Sequence, residues 1–475
     1  ALSSRSMKPL VVDLDNTLLR TDLLAELLPG YLVRNPLALP RVIGWLAAGR
    51  ARVKSEIAAR CPIDPATLPY NESVLDWLRA EHAKGRELWL VSASHRSYVE
   101  AIAAHLGLFA GALGTEADDN LKGERKREAL VERFGARGFD YAGDSRADLA
   151  VWRDAHAAIV VGNDDRLAEQ AGALTTVAQR LPAPRGGLDA WRRAFRLHQW
   201  LKNGLVLIPL LTAHLWNDAG AVVNALIAFL AFGFTASTIY VLNDLADLAD
   251  DRGHPVKRHR PLASAMLPVP NALAGAALLA LLALACAAML PPDFRLWLLA
   301  YVATTTAYSA WFKRKPIVDV MCLAGLYTVR LLAGAAAVGV AASFWLLAFS
   351  MFLFLSLALN TRHAELRRHA LVGGGRISRN YDTDDLPVIV AGGLGAGLSA
   401  VMVLALYIQS DQTRDMYANP ERIWIACPVV LYWVLRAWFR ANRGEVDEDP
   451  VAWAAKDPAS WLAAALVAGA FAAAL

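Results

Sequence analysis

The sequence predicts two fold classes in one chain: a soluble α/β domain with a helical cap over residues 7–175, and an all-α bundle of nine membrane-spanning helices over 201–475. Two observations predict this. Charged and apolar residues are mixed over the first 180 or so positions, among them β-rich runs that end in polar residues. From about Leu201 the pattern changes to apolar runs of roughly 18 to 24 residues, enough to cross a bilayer core of about 30 Å. The Pro/Gly stretch "LPAPRGG" at 181–187 divides the two patterns, so 176–200 is read as a linker with an interfacial helix. A chain of 475 residues accommodates this number of domains.

In the front portion "PLVVDLD", "ELWLVSAS", "FDYAGDS" and "AAIVVGND" each read as a buried strand with polar residues at its end. That is the signature of a parallel sheet whose site lies at the carboxyl edge. The stretch 22–80 between the first two strands is helical and too long for a crossover, so it is expected to be a cap inserted after the first strand. The opening "ALSSRSMKPL" has no apolar segment with a cleavage site. No secretory signal is expected, and Met7 is read as the start. Cys61, Cys286, Cys322 and Cys427 are far apart and read as packing residues.

Asp13 and Asp15 in "DLDNTL" lie two apart at a strand end. Strand alternation would separate them unless the chain turns out of the sheet, where a loop can aim both at one phosphorus. Asp13 is then the nucleophile and Asp15 the acid that protonates the leaving alcohol. Ser92 ends the second strand, Lys126 or Lys122 can neutralise phosphate charge, and Asp144 and Asp148 in "GDSRAD" offer hard oxygens to Mg²⁺. In this order the set resembles the haloacid dehalogenase (HAD) superfamily of phosphatases over residues 8–165, in the branch with a helical cap. The resemblance implies an HAD-like Rossmannoid fold with Asp13 as nucleophile, Asp15 as acid/base, and Ser92 and Lys126 as phosphate binders. It implies one Mg²⁺ held by Asp144, with Asp148 beside it and Asp13 and Asp15 adjacent.

After the linker, "LDAWRRAFRLHQWLKN" puts Leu188, Trp191 and Phe195 on one helical face with arginines elsewhere. It reads as a basic helix lying on an anionic leaflet. Nine spans follow, at about 203–216, 219–243, 271–290, 294–312, 317–338, 341–360, 386–408, 422–440 and 459–475. Their loops hold fifteen cations on one side, including Lys257, Arg258, Arg260, Lys313, Arg362, Arg376 and Arg379, and three on the other, Arg295, Arg414 and Arg422. Positive loops stay inside. The front domain is therefore expected in the cytoplasm, at the inner membrane of a bacterium, with the bilayer as its partner and no nucleic acid.

Asn243, Asp247 and Asp251 are spaced i, i+4, i+8, so on a helix each turns about 40° from the last and the set climbs about 12 Å along one face. Asp244 lies beside them. Such acids near hydrocarbon are costly unless neutralised, and Mg²⁺ carrying a diphosphate would do so. Lys257, Arg258 and Arg260 follow on a loop able to fold over the anion. This run with "RPLAS" after it resembles the UbiA superfamily of intramembrane prenyltransferases, over about residues 195–475.

A second pair of aspartates usual in that superfamily is replaced here by "YSAWFKRKPIVDV", with Tyr308, Lys313 and the single acid Asp319. That departure weakens the reading of a prenyl-diphosphate donor held by two metal clusters. "RLHQWLKN", "FLFLSLALNTRHAEL" and neighbouring segments instead resemble the polyprenyl-phosphate phosphoribosyltransferases, with Thr361 where that group commonly has lysine. The resemblance implies phosphoribosyl diphosphate (PRPP) and polyprenyl phosphate as substrates, and one or more Mg²⁺ on Asn243, Asp244, Asp247 and Asp251, with Asp247 and Asp251 central to the reaction. Lys202, Asn203, Lys257, Arg258, Arg260, Lys313 and Arg362 are candidates for the phosphates, with no assignment of cation to anion. Tyr308 and Asp319 are candidates for ribose hydroxyls or a second metal. Arg330, inside a span, is costly unless it faces a cavity or a partner. The joint expectation is phosphoribosyl transfer to the lipid, followed by removal of the 5-phosphate in the front domain. Aromatic-ring prenylation, a tethered phosphatase with a separate substrate, and a non-catalytic scaffold are the rival readings.

Overall fold

The computed structural model describes residues 7–116, 121–371, 380–446 and 450–475; Arg376 and Arg379 lie outside them. It divides into two compact units, Ala1–Phe195 with Thr238–Ala277, and Arg196–Ser237 with Leu278–Leu475.

The first unit is built on six strands: β1 (Leu10–Val12), β2 (Leu88–His95), β3 (Gly111–Thr115), β4 (Asp140–Gly143), β5 (Ala157–Val161) and β6 (Thr176–Leu181). They lie in the order β3-β2-β1-β4-β5-β6, every neighbouring pair parallel. Alternate residues serve opposite faces, as the strand period of two requires. Leu10, Val12, Leu88, Leu90, Ala142 and Ile159 enter one core, and Val11, Trp89, Val91, Tyr141, Ala158 and Val160 the other. The sequence reading missed β3 and β6 for physical reasons. β3 is "GALGT", glycine-rich because a β-carbon on Gly111 would lie 2.1 Å from the Trp89 ring; β6 is an edge strand, largely exposed and polar.

After β1 come α1 (Leu23–Arg34), α2 (Leu39–Ala47) and α3 (Arg50–Arg60), which share a small core of Tyr31, Val42, Trp45, Val53, Ile57 and Cys61. The next helix, α4 (Glu72–Ala83), returns Val74, Leu75 and Leu78 to the sheet. The separate helical core thus ends near Cys61, within the expected 22–80 insertion. On the same sheet face lies α5 (Arg96–Leu106); α6 (Glu124–Phe134), α7 (Leu149–Trp152) and α8 (Asp165–Leu174) cover the other. The helix expected on a leaflet is α9 (Leu188–Ala194), of seven residues. Its Trp191, with the following Phe195, packs on Gly275 and a core of Val241, Leu245 and Ala272. Only Leu188 of the expected lipid-facing stripe is exposed, because the protein itself covers the rest.

The chain continues through α10 (Ile208–Thr212), α11 (Ala219–Ala246), α12 (Leu248–Gly253), α13 (Val269–Ala288), α14 (Pro292–Ala310), α15 (Val318–Val338) and α16 (Phe344–Leu371). It ends with α17 (Leu386–Ile408), α18 (Asp411–Met416), α19 (Ala426–Asn442), α20 (Pro450–Lys456) and α21 (Pro458–Ala474). Among the described residues six helices are long and apolar enough to cross a membrane: α11, α13, α15, α16, α17 and α19. The nine expected spans are therefore not all found. The first is a 3₁₀ stretch, Leu197–Leu207, followed by the five-residue α10. The fourth forms α14, which carries Asp293 and Arg295 in its first turn, and the ninth forms α21, of 17 residues.

In the second unit consecutive helices α14 to α17 pack on one another, with small residues at close approaches. A β-carbon on Gly334 would lie 2.1 Å from the Val206 carbonyl oxygen, and one on Gly393 2.0 Å from the Trp438 ring.

Candidate active sites

The register fixes the first site. Val12 pairs with both Leu90 and Ala142, so Asp13 is level with Val91 and Gly143, and Ser92 and Asp144 project just beyond. The chain then leaves the sheet, with Asp15 extended and Asn16 at φ 57°. This turn sends the two aspartates to different partners. The Asp13 Oδ1 accepts from Lys126 Nζ at 2.8 Å, and that ammonium also reaches the Tyr141 hydroxyl at 3.0 Å. Lys126 is buried and Lys122 exposed, which separates the two lysines left open by the sequence. Asp15 Oδ2 accepts from Ser92 Oγ at 2.9 Å and Ser94 Oγ at 2.7 Å, while its Oδ1 accepts the Leu23 backbone N–H at 3.0 Å.

Carboxylate oxygens of Asp13, Asp144 and Asp148 lie within 4.8 Å of one another. Asp15 is outside this group because the serines and α1 hold its carboxylate. Asp148 also differs from a simple ligand. Its oxygens accept from the Tyr141 hydroxyl at 2.8 Å, the Ser145 N–H at 3.0 Å and the Ser145 hydroxyl at 2.8 Å, so it braces the loop that carries Asp144. Burial, with repulsion from Asp148 and Asp15 outweighing the pull of Lys126, pushes the Asp13 carboxyl up to about 7. Burial and the neighbouring Asp13 and Asp148 push Asp144 up to about 8. Burial likewise raises Asp15. Burial would lower Lys126, but the surrounding carboxylates raise it above its ordinary value and keep it charged. Hard oxygen donors in surplus over cations, close together and costly to ionise alone, fit a Mg²⁺ ion.

Two residues in this site escaped the sequence reading. Ser94 carried a signal, since alternation along β2 places it on the face of Ser92. Lys54 carried none: it sits on α3, is buried, and donates to the Ala93 carbonyl between the two serines.

The acidic run also lies in the first unit. Asn243 and Asp244 end α11, Asp247 breaks the helix with φ −93° and ψ 10°, and Asp251 is in α12. Backbone bonds from Asp247 N to Asn243 O, 2.9 Å, and from Asp251 N to Asp247 O, 2.8 Å, carry the repeat across the break. Asp244 and Asp251 are buried, Asn243 and Asp247 half-buried. Arg260 folds back to donate to Asp244 at 3.1 Å and Asp251 at 2.7 Å, so a side-chain cation already bridges two of these acids. Lys257 and Arg258 are exposed on the loop before it. An unanticipated pair adjoins the run: Arg252 Nη1 and Nη2 donate to Glu26 at 2.5 and 2.8 Å, and its Nε donates to the Ala263 carbonyl at 3.0 Å. Partners 226 positions apart leave no local trace in a sequence.

In the second unit, Asp319 and Arg362, expected as separate substrate contacts, are bonded to each other. Arg362 Nε and Nη2 reach the Asp319 carboxylate at 2.5 and 3.0 Å, Tyr308 donates to the same carboxylate at 2.9 Å, and Arg362 Nη1 meets Glu365 at 2.8 Å. Asp319 is fully buried and Arg362 1% exposed. This internal cation occupies the Asp319 carboxylate, the candidate for a second metal or for ribose hydroxyls. Arg330 finds its partners in Asn203 Oδ1 at 3.0 Å, the Leu326 carbonyl at 2.6 Å and the Tyr301 hydroxyl at 3.3 Å, which answers the cost of a guanidinium inside a span. Lys202, half-buried, donates to Gln199 at 3.3 Å, and Lys313 is half-buried in a short 3₁₀ turn.

A family model for the UbiA prenyltransferase family matches residues 206–456, and one for haloacid dehalogenase-like hydrolases matches residues 10–153. The chain is similar to an uncharacterized protein, y4nM, of Sinorhizobium fredii, with 36% identity over 469 residues, 98% of this chain and 90% of that protein. It is 36% identical over 283 residues to the nodulation protein NoeC of Azorhizobium caulinodans, covering 56% of this chain and 87% of that one. With the decaprenyl-phosphate phosphoribosyltransferase of Corynebacterium glutamicum it shares 33% identity over 195 residues, 40% of this chain and 58% of that enzyme. The chain belongs to the UbiA prenyltransferase family, as an integral membrane enzyme with a haloacid dehalogenase-like hydrolase domain ahead of its transferase portion.

Proposed function

We propose that the chain transfers 5-phosphoribose from PRPP to polyprenyl phosphate, releasing pyrophosphate, and then removes the 5-phosphate to leave polyprenyl-phosphoryl-ribose for envelope glycan synthesis. The observation that carries the reading is the similarity of the membrane portion to decaprenyl-phosphate phosphoribosyltransferases, joined to a hydrolase domain suited to phosphate monoesters. Transfer makes such a monoester, so the two portions form consecutive steps.

In the transfer, an oxygen of the lipid phosphate attacks the anomeric carbon as the bond to diphosphate breaks. The nucleophile is already ionised and needs no base, so alignment is the main task. Asn243, Asp244, Asp247 and Asp251 are the residues that would hold Mg²⁺ for the diphosphate, and Arg260, which bridges Asp244 and Asp251, would turn from these acids to the anion. Lys257 and Arg258 are further phosphate contacts. In the hydrolase, a carboxylate oxygen of Asp13 forms a bond to phosphorus while the ester bond to the ribose oxygen breaks, and Asp15 gives that oxygen its proton. Asp15 then takes a proton from the water that releases phosphate. Ser92 and Lys126 hold the phosphoryl oxygens. Asp13, Asp144 and Asp148 in this domain, and the acidic run in the other, would hold Mg²⁺, which when bound would supply neutralisation of phosphoryl charge and stabilisation of the leaving diphosphate.

Aromatic-ring prenylation is the competing reading, favoured by the family's description and disfavoured by the pairing of Asp319 with Arg362. Membranes incubated with labelled PRPP and polyprenyl phosphate test the proposal. Wild type with Mg²⁺ accumulates the dephosphorylated lipid, Asp13→Asn stops at the 5-phosphate form, and Asp247→Asn makes neither. No labelled lipid from wild type, with prenylated aromatic product from a prenyl diphosphate, overturns it.

A further inference from the structure

The second helix of the insertion, α2, is apolar on too much of its circumference for a water-facing helix. Ala38, Val42 and Trp45 occupy the face turned to the small core. The next face, reached by a rotation of about 100°, carries Leu39, Ile43 and Leu46, which are 50%, 57% and 54% exposed, and Leu37 just ahead of the helix is 95% exposed. Arg41 is the one charged side chain on the helix. Three large aliphatic side chains exposed along one face of a short helix, with Leu37 exposed in the turn before it, differ from the scattered singles normal on a soluble surface.

The charges around the patch point to its partner. From residue 27 to residue 55 the sequence contains no acid, but it has Arg34, Arg41, Arg50, Arg52 and Lys54. Lys54 is buried at the hydrolase site, and Arg52 pairs with Glu56. Arg34, Arg41 and Arg50 are exposed and flank the apolar stripe. An apolar stripe edged by arginine and free of acids complements an anionic lipid surface. The insertion is also continuous with a membrane span. Gly30 of α1 lies against Leu245 near the end of α11, and Val33 packs into the core that holds Val241 and Leu245.

We propose that α2 is a membrane-docking helix, with Leu37, Leu39, Ile43 and Leu46 seated among acyl chains and Arg34, Arg41 and Arg50 at the lipid phosphates. The hydrolase then meets phosphate monoesters carried by lipids at the bilayer surface. The docking itself does not depend on which lipid the transferase makes.

The test uses the full chain in nanodiscs containing phosphatidylglycerol. Cys286 and Cys322 are replaced by Ala, and the two buried cysteines remain. Nitroxide labels are placed one at a time through Leu39→Cys, Ile43→Cys and Leu46→Cys, with Ala83→Cys at the exposed last position of α4 as the aqueous control. Electron paramagnetic resonance saturation with oxygen and with a nickel chelate reads depth. The expected result is that the three α2 labels lie about 5–10 Å below the phosphates, favouring oxygen, while the control favours nickel. Labels at 39, 43 and 46 as open to nickel as the control overturn the proposal. Labels shielded from both reagents also overturn it, because they place a protein surface, such as a second copy, on the helix. These readings need no turnover, so they stand apart from the test of the transferase reaction.

Discussion

The Glu26–Arg252 pair offers a quantitative test of how the first unit is held together. Its side chains are 3% and 5% exposed, and the guanidinium spends three nitrogens on two Glu26 oxygens and the Ala263 carbonyl. Arg252→Met keeps much of the volume but leaves Glu26, among the described residues, with only the Thr21 hydroxyl, at 2.9 Å, and the Ala263 carbonyl without its Arg252 donor. Breaking one side of such a buried pair costs about 3–5 kcal/mol. With a urea dependence of about 2 kcal/mol/M, that moves the midpoint of the first unit down by about 1.5–2.5 M. Pulse proteolysis of the membrane-embedded chain across a urea series reads this midpoint. Replacing both partners, Glu26→Leu with Arg252→Met, removes the stranded charge, so the double variant should recover most of the loss. Arg252→Lys should not, because one ammonium cannot reproduce the bidentate fork. A single variant within about 0.5 kcal/mol of wild type, or a double variant as unstable as the sum of the singles, would refute the account of the pair.

Mg²⁺ binding at the hydrolase site should strengthen with pH. Asp13 near 7 and Asp144 near 8 sit above the ordinary carboxyl value, so without metal they favour the fold at acid pH and withdraw that contribution as pH rises to those values. Both must lose protons to bind metal, so apparent affinity gains about five-hundredfold between pH 6 and pH 8; calorimetry giving a flat affinity and no proton release contradicts this. Ser94→Ala removes the 2.7 Å bond to Asp15 and should cut phosphatase kcat by roughly 10–100-fold with KM little changed, as expected for mispositioning a proton donor, in steady-state assays on a soluble monoester. Asp319→Asn leaves the buried Arg362 with Glu365 as its remaining carboxylate partner and should lower the yield of folded protein as well as transferase activity, by a cost of about 1–3 kcal/mol, read by gel filtration and by labelled lipid product. Gly334→Val drives a side chain into the Val206 carbonyl and should destabilise by about 1–3 kcal/mol, seen as a lower thermal midpoint.

Strand ends were the most legible part of the sequence because polar residues at the edge of a buried parallel sheet have few reasons to be there. "DLDNTL", "VSAS" and "GDSRAD" therefore indicated where chemistry gathers before any pairing was known. The division of labour between Asp13 and Asp15 was less legible, since it depends on one turn at Asn16 and on which hydroxyls lie opposite. Strand β3 hid behind its glycines, whose presence makes sense only with Trp89 across the sheet. Amphipathicity misled in one place and was overlooked in another. The stripe of α9 looked lipid-facing, yet Trp191 and Phe195 pack on protein, whereas α2, short, with Pro40 in its first turn and Gly44 within it, exposes the larger apolar face. Periodicity shows that a face is apolar; it does not identify what covers it. The same limit applies to charge, because the spacing of Asp319 and Arg362 gave no sign that each is the other's counterion.

A boundary drawn from hydropathy places everything after about residue 200 with the membrane portion, whereas Thr238–Ala277 clusters with the front domain. One reason is apolar, the core that Val241, Leu245 and Ala272 share with Val33, Trp191 and Phe195; the other is electrostatic. The connection between α11 and α13 buries Asp244, Asp251 and Arg252, and burying charge is tolerable only where each is paired. Arg260 serves the two acids from within the loop, but the loop offers Arg252 no carboxylate partner of its own. That partner is Glu26, on the helix whose first backbone N–H also holds Asp15. A membrane portion cut free of its front domain would therefore lose the carboxylate that pairs with Arg252, next to Asp251. The hydrolase thus supplies the acidic loop with a counterion, so the two portions are joined by more than a linker.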